Sequence, residues 1–172
     1  PPKEVRFDKD LLLSVSDLQT IRRCPRCLWD DVHIGRAEER FPGAISHLHG
    51  LLRDAADRGR IEYPALHGFH AKEARWTILA NQHVIDWLRR GIASFNKKWR
   101  ALLTGRFEEC LFDTKEEAYA PLMFKIVGSL KDDCGPEDRL KIDCCAYLLR
   151  ANGLRSSRRG FILQCLPENV PY

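Results

Sequence analysis

The chain reads as an α/β fold, and three observations carry that reading. Apolar residues recur every three or four positions through much of the first hundred residues, the period of amphipathic helices. After Gly105 the pattern changes to short runs rich in aromatic and aliphatic residues, "RFEECLF" and "LMFKIVGSL", bounded by a charged turn and by Pro121. A longer apolar segment and a last run, "RRGFILQCL", follow. A single domain over 1–172 is expected, with a helical wall at about 14–103 and a sheet core at about 106–168.

Each element has a local reason. Ser16 or Asp17 can cap a helix running to about Arg23, with Leu18 and Ile21 on its apolar side, and Pro25 ends or kinks it. Phe41-Pro42-Gly43 is a turn. Ala44 to about Arg58 reads as a helix through Ile45, Leu48, Leu51, Leu52 and Ala55, and Gly59 supplies a stop. Residues 60–70, with Pro64 and Gly68, read as a loop. Lys72 to Arg90 reads as a further helix, interrupted by Gly91, and Ile92 to Leu103 as its continuation. "KDDCGPEDR" is a polar connection, and "LKIDCCAYLLRANG" fits a strand or a helix ending at Gly153.

Composition narrows the class. Of the 172 residues 44% are hydrophobic and 30% charged, an ordinary globular balance. No apolar run approaches the roughly 18–20 residues a membrane helix needs. The charged start "PPKEVRFDKD" has no signal-peptide core, so a cytoplasmic protein without membrane contact is expected. The net charge of +4 favours nucleic acid only weakly. The basic groups are clustered, however: Arg22, Arg23 and Arg26; Arg89 and Arg90; Lys97, Lys98 and Arg100; Arg155, Arg158 and Arg159. Convergence of several on one groove would make a phosphate-tracking surface. Trp29, Trp76, Trp87 and Trp99 suit base stacking, but their helical spacing places them first in the core or wall, as it does Tyr147.

Three landmarks then occur in order. "LSVSDLQTIRRCPRCLW" (13–29) holds Ser14-x-Ser16-x-Leu18 followed by Cys24-Pro and an aromatic. "GAISHLH" (43–49) holds Gly43-x-x-x-His47, and "FKIVGSLKDD" (124–133) puts Gly128 before an acidic pair. Over residues 13–166 this series resembles the RecB-like branch of the PD-(D/E)XK nucleases, which includes CRISPR-associated RecB-like exonucleases and the nuclease domains of helicase–nuclease machines. The resemblance implies a restriction-endonuclease-like core, a mixed central sheet flanked by helices. It implies a metal-dependent nuclease that hydrolyses phosphodiester bonds of single- or double-stranded DNA with Mg²⁺ or Mn²⁺, alone or among other subunits of a DNA-processing complex. His47 and the Asp132/Asp133 pair would then hold the ion, which activates water.

The chain departs from that pattern. Three positions after Gly128 stands Lys131, not Asp. The expected strand bearing Asp/Glu-x-Lys has two readings. In one, "RLKIDCCA" is that strand, with Asp143 in the acidic place and Cys145 where lysine belongs. In the favoured one, "LKIDCCAYLLRANG" is the family's following helix, with Lys141 and Cys145 at its Gln and Tyr places. No room is then left between Asp133 and Lys141, so the strand is absent or a stretch near Cys134–Gly135 is missing. A catalytically degenerate subunit that binds DNA or scaffolds a complex is the alternative function, and a helical protein-interaction domain a third.

Seven cysteines without secretory context argue against a disulfide framework. Cys24 and Cys27 have metal-knuckle spacing, but the other ligands of a zinc site or an iron–sulfur cluster are incomplete, so a packed thiol pair is expected. Cys110 and Cys165 read as reduced core thiols.

Overall fold

The computed structural model describes residues 10–35, 47–48, 50–52, 54, 75–78, 82–130 and 133–166. It is a mixed α/β structure with two mixed sheets. Strands β1 (Leu11–Ser14), β3 (Ile92–Asn96) and β4 (Ala101–Gly105) form one, in the order β1-β4-β3. Strands β2 (Trp76–Ile78), β5 (Glu109–Asp113), β6 (Ala118–Ile126) and β7 (Phe161–Cys165) form the other, in that order. The helices with described bounds are α1 (Val15–Arg23), α2 (Pro25–His33), α3 (Gln82–Arg90) and α4 (Pro136–Ala151).

The expected helical wall is interrupted by strands. Trp76–Ile78 pairs antiparallel with β5 instead of opening a long helix. Ile92 to Gly105 is a β-hairpin, not a helical continuation. Two backbone features explain it. Gly91 takes φ 110°, which turns the chain out of α3, and Arg100 takes φ 47° in the turn between β3 and β4. Pro121 lies inside β6 opposite Cys110 and does not bound the strand.

Helix α1 begins two to three residues earlier than expected. Its cap is Ser14, whose hydroxyl accepts the Asp17 N–H at 3.2 Å while Asp17 Oδ2 accepts the Ser14 N–H at 2.7 Å. Pro25 starts α2 at a position where a missing N–H costs nothing. "LKIDCCAYLLRANG" belongs to α4, the helical alternative.

Helix α4 links the parallel strands β6 and β7 and packs against α1, β3, β4 and β6, so it joins the two sheets. Its buried face, Cys144, Cys145, Leu148 and Leu149, meets Val15, Ile85, Leu88, Ile92, Phe107 and Cys110. Tyr147 instead points outward, 41% exposed, with its hydroxyl 3.2 Å from Ser94 Oγ. The opposite face of the larger sheet buries Leu111, Ala120, Leu122, Phe124 and Phe161 against Leu52 and Trp76. Trp29 and Trp99 are 56% and 67% exposed, outside the core expected for them.

Where α4 crosses the start of β7 the backbones approach closely. A Cβ on Gly160 would lie 2.2 Å from Ile142 Cγ2. Gly160→Ala is therefore expected to lower stability by about 1–3 kcal/mol through overpacking, read as a reduced urea midpoint with unchanged slope.

Candidate basic groove and carboxylate site

Period-two alternation puts Met123 and Lys125 of β6 on the face away from Leu122 and Phe124, the face covered by α4. There α4 presents Asp138 and Lys141. Lys141 Nζ lies 3.5 Å from Glu108 Oε1, while Glu108 Oε2 accepts the Phe124 N–H. Glu108, Met123, Lys141 and Cys145 line one small cavity of about 10 Å³. One turn nearer the helix start, Lys125 forms an ion pair with Asp138.

Two open grooves flank this line of side chains. One, of about 690 Å³, runs past Ser14, Ser16, Arg90, Arg106, Glu108 and Lys141. Arg106 is exposed and has no ion-pair or hydrogen-bond partner among the described residues. Among the described residues Arg90 donates only to the Asp86 carbonyl of its own helix, at 3.2 Å. Arg89, behind them, binds the buried Glu109 at 3.1 Å. The amino end of α1 opens on the same groove through Val15 and Ser16, adding positive potential. The groove thus presents guanidinium and ammonium groups to any anion that enters it. The second groove, about 440 Å³, holds Lys125, Asp133, Cys134, Asp138 and Gln164.

The residues singled out in the sequence are dispersed. His47 is exposed on a helical stretch whose Leu52 packs under the larger sheet. Asp132 lies outside the described residues. Asp133 is exposed and reaches the second groove. Asp143 is exposed on α4, two positions from Lys141, which alone of the set joins the Glu108 cluster. Cys24 and Cys27 form a disulfide rather than a packed thiol pair, with Cα atoms 5.3 Å apart.

Glu108, Met123, Lys125 and Arg106 are not among the residues the sequence motifs single out, although the sequence holds a signal for them. Gly105-Arg106-Phe107-Glu108 has the Gly-x-x-acid spacing sought at Gly128, and it ends strand β4. Met123-Phe124-Lys125 then provides the x-x-Lys of a following strand.

The thiols facing the α4 core are held in their neutral form by burial. Burial pushes Cys110 and Cys145 up to about 12. No helix among the described residues is long and apolar enough to cross a membrane. No family model, curated protein or solved structure matches the chain. The class the coordinates define is therefore a mixed α/β protein with two mixed sheets and a basic groove beside a lysine-paired carboxylate.

Proposed function

We propose that this chain is a RecB-like, restriction-endonuclease-like domain that holds a nucleic-acid strand without cutting it. One observation carries the reading. Glu108, in the Gly-x-x-acid place, is engaged by Lys141 and by the Phe124 amide, and Met123 stands where a second carboxylate would be needed. Among the described residues no three His, Cys, Asp or Glu side chains converge as a metal site. The described donor set therefore does not fit Mg²⁺ or Mn²⁺, which require several oxygen ligands around one point. The groove of Arg90, Arg106 and Lys141 supports the binding half, because phosphate neutralisation by Arg and Lys supplies most non-specific affinity.

A metal-dependent nuclease is the second reading. It is favoured by Asp133 and Asp138 lining one groove with Lys125. Incubation of the chain with single- and double-stranded DNA and Mg²⁺ or Mn²⁺ separates the two. The first reading expects bound, intact DNA; cleavage abolished by Asp133→Ala would establish the second. In the same binding assay Arg106→Ala is expected to weaken affinity about three- to tenfold and to flatten the salt dependence by about one phosphate contact. No DNA binding at low salt would favour the protein-interaction domain.

A further inference from the structure

The Cys24–Cys27 disulfide lies apart from both grooves. Cys24 ends α1, donating its N–H to the Thr20 carbonyl at 2.7 Å, and at once caps α2. Its Sγ accepts the Cys27 N–H at 3.2 Å. Cys27 is exposed, Pro25 and Arg26 separate the pair, and Arg22 and Arg23 precede it. The geometry points to a reversible thiol–disulfide exchange site, with small thiols and disulfides of the glutathione class as co-reactants.

The exchange uses only what the site and the co-reactant hold. A glutathione thiolate attacks the exposed Cys27 Sγ, forming a mixed disulfide. The Cys24–Cys27 bond breaks and its electron pair leaves on Cys24 Sγ. That thiolate stays at the amino end of a nine-residue helix, where the Cys27 amide and the helix dipole stabilise it. A lower thiol pKa makes a better leaving group. A second glutathione thiolate attacks the glutathione sulfur of the mixed disulfide, releasing Cys27 thiolate and oxidised glutathione. Two electrons pass from two glutathiones to the protein, and the two thiolates take up the two protons the glutathiones lost. Running backwards, Cys27 thiolate attacks oxidised glutathione and expels one glutathione thiolate, and Cys24 thiolate then attacks Cys27 Sγ of the mixed disulfide and expels the second. The buried Cys110 and Cys145, with thiols pushed up to about 12, do not compete.

The test uses the whole folded chain. It is equilibrated with defined ratios of reduced and oxidised glutathione, quenched with acid, alkylated and analysed as peptides by mass. Cys24 and Cys27 are expected to interconvert together and reversibly while Cys110 and Cys145 stay unlabelled until denaturation. Two single variants then assign the roles. In Cys27→Ser the alkylation profile of Cys24 is expected to have its midpoint at least about one pH unit below an ordinary thiol near 8.5, and its rate at pH 7 about threefold above that of Cys27 in Cys24→Ser. Should either variant fail to fold, the wild-type equilibrium still decides. A pair that oxidised glutathione never closes, or that reduced glutathione never opens, would overturn the proposal. So would release of stoichiometric zinc or iron from the purified chain together with protection of both cysteines from alkylation.

Discussion

Leu148→Ala is expected to lower the unfolding free energy by about 3–5 kcal/mol, the upper range for a large core side chain. Leu148 is fully buried on α4 and packs among side chains drawn from α1, α3 and β5, where no single neighbour can collapse to fill the space. The site offers an internal control. A Cβ on Gly105 would stand 2.6 Å from Leu148 Cδ1 and 3.1 Å from Val15 Cγ2. Gly105→Ala alone is therefore expected to cost about 1–3 kcal/mol by overpacking. Adding it to Leu148→Ala should cost less than the sum, because the truncated side chain vacates the clashing position. Urea unfolding of the four proteins measures the coupling. Strict additivity would mean that α4 does not seat on Gly105 in this way.

The second large effect lies at the far end of the larger sheet. Asp113 has no exposed surface. Its carboxylate takes the Arg75 Nε–H at 2.8 Å and the Lys115 and Glu116 amides at 3.0 and 3.1 Å. It therefore closes the β5–β6 turn and ties it to the chain entering β2. Asp113→Asn places amide hydrogens where an acceptor is needed and leaves the guanidinium with the half-exposed Glu116 carboxylate as its remaining counter-charge. Because Glu116 still pairs with the guanidinium, the loss is expected at about 1.5–3 kcal/mol, the range for a hydrogen bond to a charged group.

The pH dependence fixes the cause. The Arg75 hydrogen bond, helped by the two amides and opposed by burial, holds the Asp113 carboxyl below the usual carboxylate range. A depressed folded pKa gives stability that is complete above the unfolded value, about 3.9, and is lost as pH falls through the folded value. Wild type and Asp113→Asn should thus differ most at neutral pH and converge as the solution is acidified below about pH 4. A gap that persists unchanged to pH 2 would assign the effect to shape rather than charge.

How much of this was legible depends on how local the signal is. The α/β class followed from the change of period near Gly105, and β7 and α1 lie close to where pattern and caps place them. The misreadings share a physical origin. Leu88 and Ile92 are both buried in one core, one on a helix and the other on a strand, so an apolar spacing of four fits helix and hairpin alike. Only the positive φ values at Gly91 and Arg100 separate the two, and sequence signals these weakly. Pro121 looked like a boundary because proline cannot donate, yet it sits within β6. The Glu108–Lys141 pair was hidden because its partners come from a loop and a helix far apart in the chain. Gly128 also precedes an acidic pair, so spacing alone does not select Gly105 over it. The Cys24–Cys27 bond was legible as a spacing, while its chemistry depended on Cys24 being both the end of one helix and the start of another.

The pairing of β1 with β4 sets an order of assembly. Leu11 aligns with Ala101 and Ser14 with Thr104, whereas β3 meets β4 across a short turn. The β3–β4 hairpin can close as soon as its residues emerge, but β1 must wait for most of the domain to be synthesised. Closing so long a loop carries an entropy cost that short hairpins avoid, and such contacts slow folding. The first of the described strands is thus the last of its sheet to gain a partner. During synthesis its apolar Leu11, Leu12 and Leu13 stay open to capture by chaperones or by other nascent chains.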